Sequence, residues 1–199
     1  MNTKKYLKSF LLLIACLWIT TCNAAVIEGN PNGAITLAFV YDYQCPICHQ
    51  MYPMIEQLTQ EFPNLTVRMM PVAAKNKTSL YEAAAAIAAT HSNQFDAFNQ
   101  QVMSAPPMTD TEVTALLNQM GLNTQPFKEA MHSDEVKQQL LQGQALMDAS
   151  GHSAVPLFVL YPSALDPSHS LVMVGYQSLS NMEAAVREVE KRMSRAEAS

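Results

Sequence analysis

From Ile35 to Tyr41 the chain reads Ile-Thr-Leu-Ala-Phe-Val-Tyr, an almost continuous apolar and β-branched run behind the turn-like Asn30-Pro31-Asn32-Gly33. A run of this kind predicts a central strand buried on both faces. The period then becomes helical: Met51, Met54, Ile55, Leu58 and Phe62 fall on one helix face, with Pro53 inside the helix as a kink. Leu65 to Pro71 is a second short strand. From about Lys75 to Ser150 the pattern is helical throughout. Ala83 to Ala89 is a strong helix former, Thr109-x-x-Glu112 has the form of a capping box, and Gly121 closes that helix. Pro126 suits a helix first turn, and Val136 to Ala149 is another helical run ending before Gly151. Pro156 to Leu160 reads as a third strand and Leu171 to Val174 as a fourth, ending at Gly175. Ser180-x-x-Glu183 is expected to cap a last helix that buries Met182, Ala185, Val186, Val189 and Met193. Strands interrupted by helices predict an α/β domain, with a helical insertion over about 75–150 between the second and third core strands.

The first residues follow another logic. Lys4, Lys5 and Lys8 make a positive start, and Phe10 to Ile19 is an apolar run of about ten residues, too short to span a bilayer. Cys22-Asn23-Ala24 offers small side chains where a signal peptidase reads, so 1–24 is expected to be a signal peptide and 25–199 the mature domain. A competing reading takes Leu13-Ile14-Ala15-Cys16 as a lipoprotein box, with Cys16 lipidated ahead of the very apolar Leu17-Trp18-Ile19. A third leaves the segment uncleaved as an anchor.

Cleavage after Ala24 leaves 175 residues, enough for one domain to bury a core without disulfide staples. It also leaves 9 basic against 17 acidic residues, a net charge of −8. An acidic chain with no basic run argues against a nucleic-acid partner. Of the four cysteines, only Cys45 and Cys48 remain. A bridge between them closes a loop too short to remove much chain entropy, so stapling is a poor reason for the pair.

The pair stands where a buried strand ends and a helix begins. Backbone N–H groups at a helix start stabilise an anion, so the thiolate of Cys45 is expected to be favoured. It is the thiolate that attacks disulfides. Cys48, one turn along, is placed to resolve a mixed disulfide, with Pro46 and Ile47 setting the turn between them.

Three stretches carry a family resemblance: Tyr41-Asp42-Tyr43-Gln44-Cys45-Pro46-Ile47-Cys48-His49, the helix proline Pro53, and Ser153-Ala154-Val155-Pro156-Leu157-Phe158-Val159. Together they resemble the thioredoxin superfamily and, within it, the DsbA family of periplasmic thiol:disulfide oxidoreductases, over about 27–192. The resemblance implies a thioredoxin fold with a helical insertion and no cofactor or metal. Cys45 would be the exposed nucleophile, Cys48 its buried partner, and the two a redox disulfide. Pro156 would be a cis-proline, and the Val155 backbone would pair with a substrate strand. Partners would be folding exported proteins with thiols and a DsbB-like, quinone-linked membrane oxidase, all in the periplasm of a Gram-negative bacterium.

Two departures from the family pattern stand out. Many relatives carry an acid six residues before the nucleophile, where this chain has Phe39. Asp42 is a candidate substitute, divided between capping the turn and tuning Cys45. The best-known relatives also place a histidine between the cysteines, where this chain has Ile47 and sets His49 one residue beyond the pair. A less oxidising protein is therefore expected than the prototype, near −120 mV. His152, just ahead of the Val155-Pro156 loop, is a further candidate for touching the site. His91, His132 and His169 read as ordinary surface or capping residues, and Tyr41, Tyr43 and Tyr52 as core rather than groove.

Other readings compete. Cys45-x-x-Cys48-His49 is also the attachment pattern of c-type haem, with His49 as ligand and methionines as axial partners. The buried strand before the motif, Pro53 after it and the Val155-Pro156 pair weigh against that. A non-catalytic thioredoxin-like binding or chaperone module is another alternative, as are a reductase or an isomerase. Superfamily isomerases dimerise through an extra N-terminal domain, for which the residues before Ile35 leave no room, so a monomeric oxidase is expected.

Overall fold

The computed structural model describes residues 26–163 and 170–197. The expected signal segment, with Cys16 and Cys22, and His169 lie outside the described residues. Among the described residues five strands form one sheet: β1 (Val26–Gly29), β2 (Ile35–Tyr41), β3 (Leu65–Pro71), β4 (Leu157–Pro162) and β5 (Leu171–Val174), in the spatial order β1-β3-β2-β4-β5. β2 lies at the centre, parallel to β3 and antiparallel to β4, so Phe39 faces Met69 on one side and Phe158 on the other. All seven β2 residues are buried, as the unbroken apolar run requires. β1, absent from the sequence reading, adds an antiparallel edge to β3. The turn from β1 to β2 needs Gly33, because a Cβ there would stand 2.4 Å from the Asn64 carbonyl oxygen.

Helix α1 (Pro46–Glu61) follows β2 and buries Cys48, Met51, Tyr52, Ile55 and Leu58. The insertion comprises α2 (Lys77–Ala89), α3 (Phe95–Met103), α4 (Asp110–Gln119), α5 (Gln125–Met131) and α6 (Asp134–Ser150). Its start is set by a capping box of Asn76 and Ser79, and the box of Thr109 and Glu112 opens α4 as expected. α6 ends on Gly151, whose φ of 72° suits a residue without Cβ. α7 (Leu179–Glu197) closes the chain and buries Met182, Val186 and Val189. Its cap is Ser178, not Ser180: the Ser178 hydroxyl accepts from Asn181 N at 3.2 Å, and its carbonyl accepts from Met182 N at 3.1 Å. One hydrophobic core runs from the sheet into α1, α7 and the insertion. The insertion therefore packs as part of the same domain. No helix among the described residues is long and apolar enough to cross a membrane.

Candidate active site

Residues 42–49 carry the chain from β2 into α1. Cys45 is the residue before the helix, with extended backbone (φ −100°, ψ 109°), and Pro46 fills the first helical position. A proline there costs nothing, since its missing N–H has no partner inside the helix. Cys45 N donates to the Asp42 carbonyl at 3.0 Å, and Cys48 N and His49 N both donate to the Cys45 carbonyl, at 2.9 and 3.3 Å. These bonds fold the turn so that the Cys48 thiol donates to the Cys45 sulfur. On the other side Cys45 Sγ lies 3.6 Å from the Val155 carbonyl oxygen, and the Val155–Pro156 peptide bond is cis.

The two thiols are held in opposite states. The Cys48 hydrogen bond, with backbone bonds from Cys48 and Ile47 and the Lys75 charge, brings Cys45 from 9.0 down to about 6 against a burial cost. Burial pushes Cys48 far above its usual range, and the neighbouring Cys45 and Asp42 charges add to it. The exposure expected of Cys45 is not found: it is 3% exposed and Cys48 0%, because the Val155 loop lies against the sulfur. The contrast between the pair is one of ionisation. The surface of the turn is made by Pro46 and by Ile47, which is 39% exposed.

Asp42 is fully buried and accepts four hydrogen bonds. Oδ1 takes Gln44 N at 2.7 Å and Ser79 Oγ at 2.8 Å, while Oδ2 takes Ala74 N at 2.7 Å and Lys75 N at 2.9 Å. It is a turn cap that ties β2 to the start of the insertion. His49 does not face solvent: it is half-buried, and its Nε2 donates to the Tyr43 carbonyl at 2.6 Å. That bond occupies the nitrogen that a haem iron requires. His152 stays outside the site, with an exposed side chain and a backbone N–H that donates to Met147 O at 3.1 Å to end α6. Among the described residues no three His, Cys, Asp or Glu side chains are grouped to hold a metal ion.

Phe39 is fully buried in a ring stack, 4.8 Å from Tyr41 and 5.2 Å from Phe158. Tyr41 and Tyr43 are fully buried too, and both hydroxyls donate to Asn99 Oδ1 at 2.8 Å. Burial raises both phenols well above 10.0. Sequence reading missed three residues around the turn. Lys75 lends positive charge to Cys45. Gln44 Nε2 donates to both oxygens of Glu82 at 3.0 Å and to the Met108 carbonyl at 2.8 Å. Glu82 is fully buried on α2; desolvation, then the charges of Asp42 and Asp110, push it up to about 7, against the opposing effect of the Gln44 bond. A glutamate beside an alanine run gives no signal of burial in the sequence.

No protein-family model matches the chain, and no curated protein matches it by sequence. Solved structures do match. A thioredoxin-like oxidoreductase from Silicibacter pomeroyi is similar with a TM-score of 0.75 and 26% identity, over 84% of this chain and 92% of its own. A periplasmic thioredoxin-like protein from Salmonella enterica serovar Typhimurium shares 22% identity and a TM-score of 0.68, over 89% and 95%. The thiol-disulfide exchange protein alpha-DsbA2 from Wolbachia pipientis shares 17% identity and a TM-score of 0.70, over 94% and 99%. The fold agrees with these likenesses: the chain has a thioredoxin-like fold and is similar to a thioredoxin-like oxidoreductase, with Cys45 and Cys48 at the start of α1.

Proposed function

We propose that the protein introduces disulfides into exported proteins, donating the Cys45–Cys48 disulfide as oxidant. The observation that carries this reading is the opposite treatment of two thiols one helical turn apart. A Cys45 thiol held near 6 leaves readily as thiolate at neutral pH, and a stabilised thiolate favours the reduced protein, which makes its disulfide a better oxidant. In the reaction a substrate thiolate attacks Cys45 Sγ. The Cys45–Cys48 bond breaks, and Cys48 leaves with the electron pair and takes up a proton, which its high affinity for protons favours. A second substrate thiolate then attacks the substrate sulfur of the mixed disulfide, and Cys45 departs as thiolate. The substrate has lost two electrons and the protein holds them as a dithiol. No cofactor is required, because the electrons stay on sulfur.

In this reading the Val155 backbone beside Pro156 pairs with the substrate strand, and Ile47 offers it an apolar contact. The protein acts as a monomer in the periplasm of a Gram-negative bacterium, reached through the signal segment 1–24. A DsbB-like quinone-linked membrane oxidase restores its disulfide. The periplasmic setting of the Salmonella protein supports the location. The test is direct transfer: the oxidised mature protein, mixed with a reduced unfolded protein and no other oxidant, should yield one substrate disulfide per disulfide consumed. Net flow of electrons from the reduced protein into substrate disulfides under matched conditions would overturn the oxidase direction.

A further inference from the structure

Residues 72–76 join β3 to α2 without helix or strand, yet the backbone there is fastened at four points. Val72 N donates to the Tyr41 carbonyl at 2.8 Å, and Asn76 N donates to Ser79 Oγ at 3.3 Å. Between them Ala74 N and Lys75 N donate to Asp42 Oδ2 at 2.7 and 2.9 Å. The other carboxylate oxygen takes Ser79 Oγ and Gln44 N, and the Asp42 carbonyl accepts from Cys45 N at 3.0 Å. One buried residue thus joins the loop, the start of α2 and the reactive turn.

Capping the turn requires less than this. The bond from Gln44 N to Oδ1 closes the turn by itself, and an asparagine would make it with no charge to bury. A carboxylate at 0% exposure is costly unless donors surround it. What the second oxygen adds is a grip on the backbone of Ala74 and Lys75. The Lys75 side chain is exposed and in no ion pair among the described residues, and its charge acts on Cys45. The other groups set against that sulfur are the Cys48 thiol, the backbone of Ile47 and Cys48, and the Val155 carbonyl.

Resting on the reading of Cys45 as the reactive thiol, we propose that Asp42 is a positioning residue that holds the 74–75 backbone against the turn, so that the Lys75 ammonium stabilises the Cys45 thiolate. Asp42 then acts on Cys45 in two opposed ways. A carboxylate near a sulfur disfavours the thiolate directly, as Asp42 does at Cys48. Through Lys75 it favours the thiolate. The second effect is the larger, because four donors offset the carboxylate while no acid offsets the ammonium.

The opposed signs make the test decisive. The Cys45 thiolate is titrated by its ultraviolet absorbance in the reduced mature protein. Lys75→Gln should raise the Cys45 midpoint by about 0.2–0.7 unit, the range of an exposed ion pair. Lys75→Arg should leave it near the wild-type value, and the rise in Lys75→Gln should shrink in concentrated salt. An unchanged midpoint in Lys75→Gln would overturn the proposal. Asp42→Asn should also raise the midpoint, and Lys75→Gln should add less in that background than in wild type. A fall in the midpoint, or full additivity of the two changes, would mean that Asp42 acts by its own charge and not by positioning. If Asp42→Asn does not fold, Ala74→Pro decides: it removes one N–H from Asp42 at an exposed position and should raise the midpoint, and no rise counts against positioning. These titrations need no substrate, so failure to oxidise dithiols would sink the proposed function without touching this result.

Discussion

Cys45 Sγ and the Val155 carbonyl oxygen lie 3.6 Å apart. The reactive sulfur and the backbone ahead of Pro156 therefore form one contact, and in the proposed function a substrate strand pairing with Val155 would bring its own cysteine to Cys45. The same contact accounts for the 3% exposure of Cys45.

Cys45→Ser should abolish dithiol oxidation, and Cys48→Ala should accumulate mixed disulfides with substrates, detectable by mass after acid quenching. Oxidase activity retained by Cys45→Ser would remove Cys45 from the role of nucleophile.

Stability should depend on pH differently in the two redox forms. Cys45 falls from 9.0 to about 6 in the folded dithiol. Its contribution is fully present above pH 9 and is lost as pH falls from 9 through 6. Cys48 moves the other way, so its contribution declines above pH 9. Glu28, raised from 4.5 to about 7, stabilises below 4.5 and loses that contribution as pH rises through 7, in both forms alike, so it largely cancels in the difference between reduced and oxidised proteins. Urea midpoints at pH 6, 7.5 and 9 should show the reduced form gaining on the oxidised form; a constant or shrinking difference contradicts the ionisation assigned to Cys45.

Ile47 is 39% exposed, so an imidazole fits there without repacking the core. Ile47→His should add charge beside the Cys45 thiolate and raise the reduction potential, by about 30 mV for each tenfold gain in the equilibrium constant. A fall in potential would contradict the electrostatic account of the turn.

Asn99 accepts from both Tyr41 and Tyr43 in a fully buried network. Asn99→Ala leaves two hydroxyls without that acceptor and should cost about 2–4 kcal/mol, while Tyr41→Phe should cost about 1 kcal/mol. Chemical denaturation of both variants checks the order, and a neutral Asn99→Ala would show that the network contributes nothing.

The core of this fold was legible because its strands and helices carry strong periods. The runs at Ile35–Tyr41 and Leu65–Pro71 appear with the bounds that the apolar pattern predicts. β1 was not legible: a four-residue edge strand has too few positions to show a period. The cap at Ser178 lost to Ser180 because a capping-box pattern attracts the reading while the bonds are made two residues earlier. Around the site, the cysteines could be read from their spacing. The bond from Gln44 N to Asp42 is the local turn cap the sequence offers, but the backbone groups of Ala74 and Lys75 that bind Asp42 lie more than thirty residues away, and no local pattern announces them. His49 turned inward for a similar reason, since the Tyr43 carbonyl that it meets is a backbone atom.

If stabilising the Cys45 thiolate makes the disulfide a donor, the equilibrium reduction potential of the mature protein in glutathione buffers, read by thiol alkylation and mass, should show a single two-electron transition above about −200 mV; a value at or below about −250 mV would make the protein a reductase.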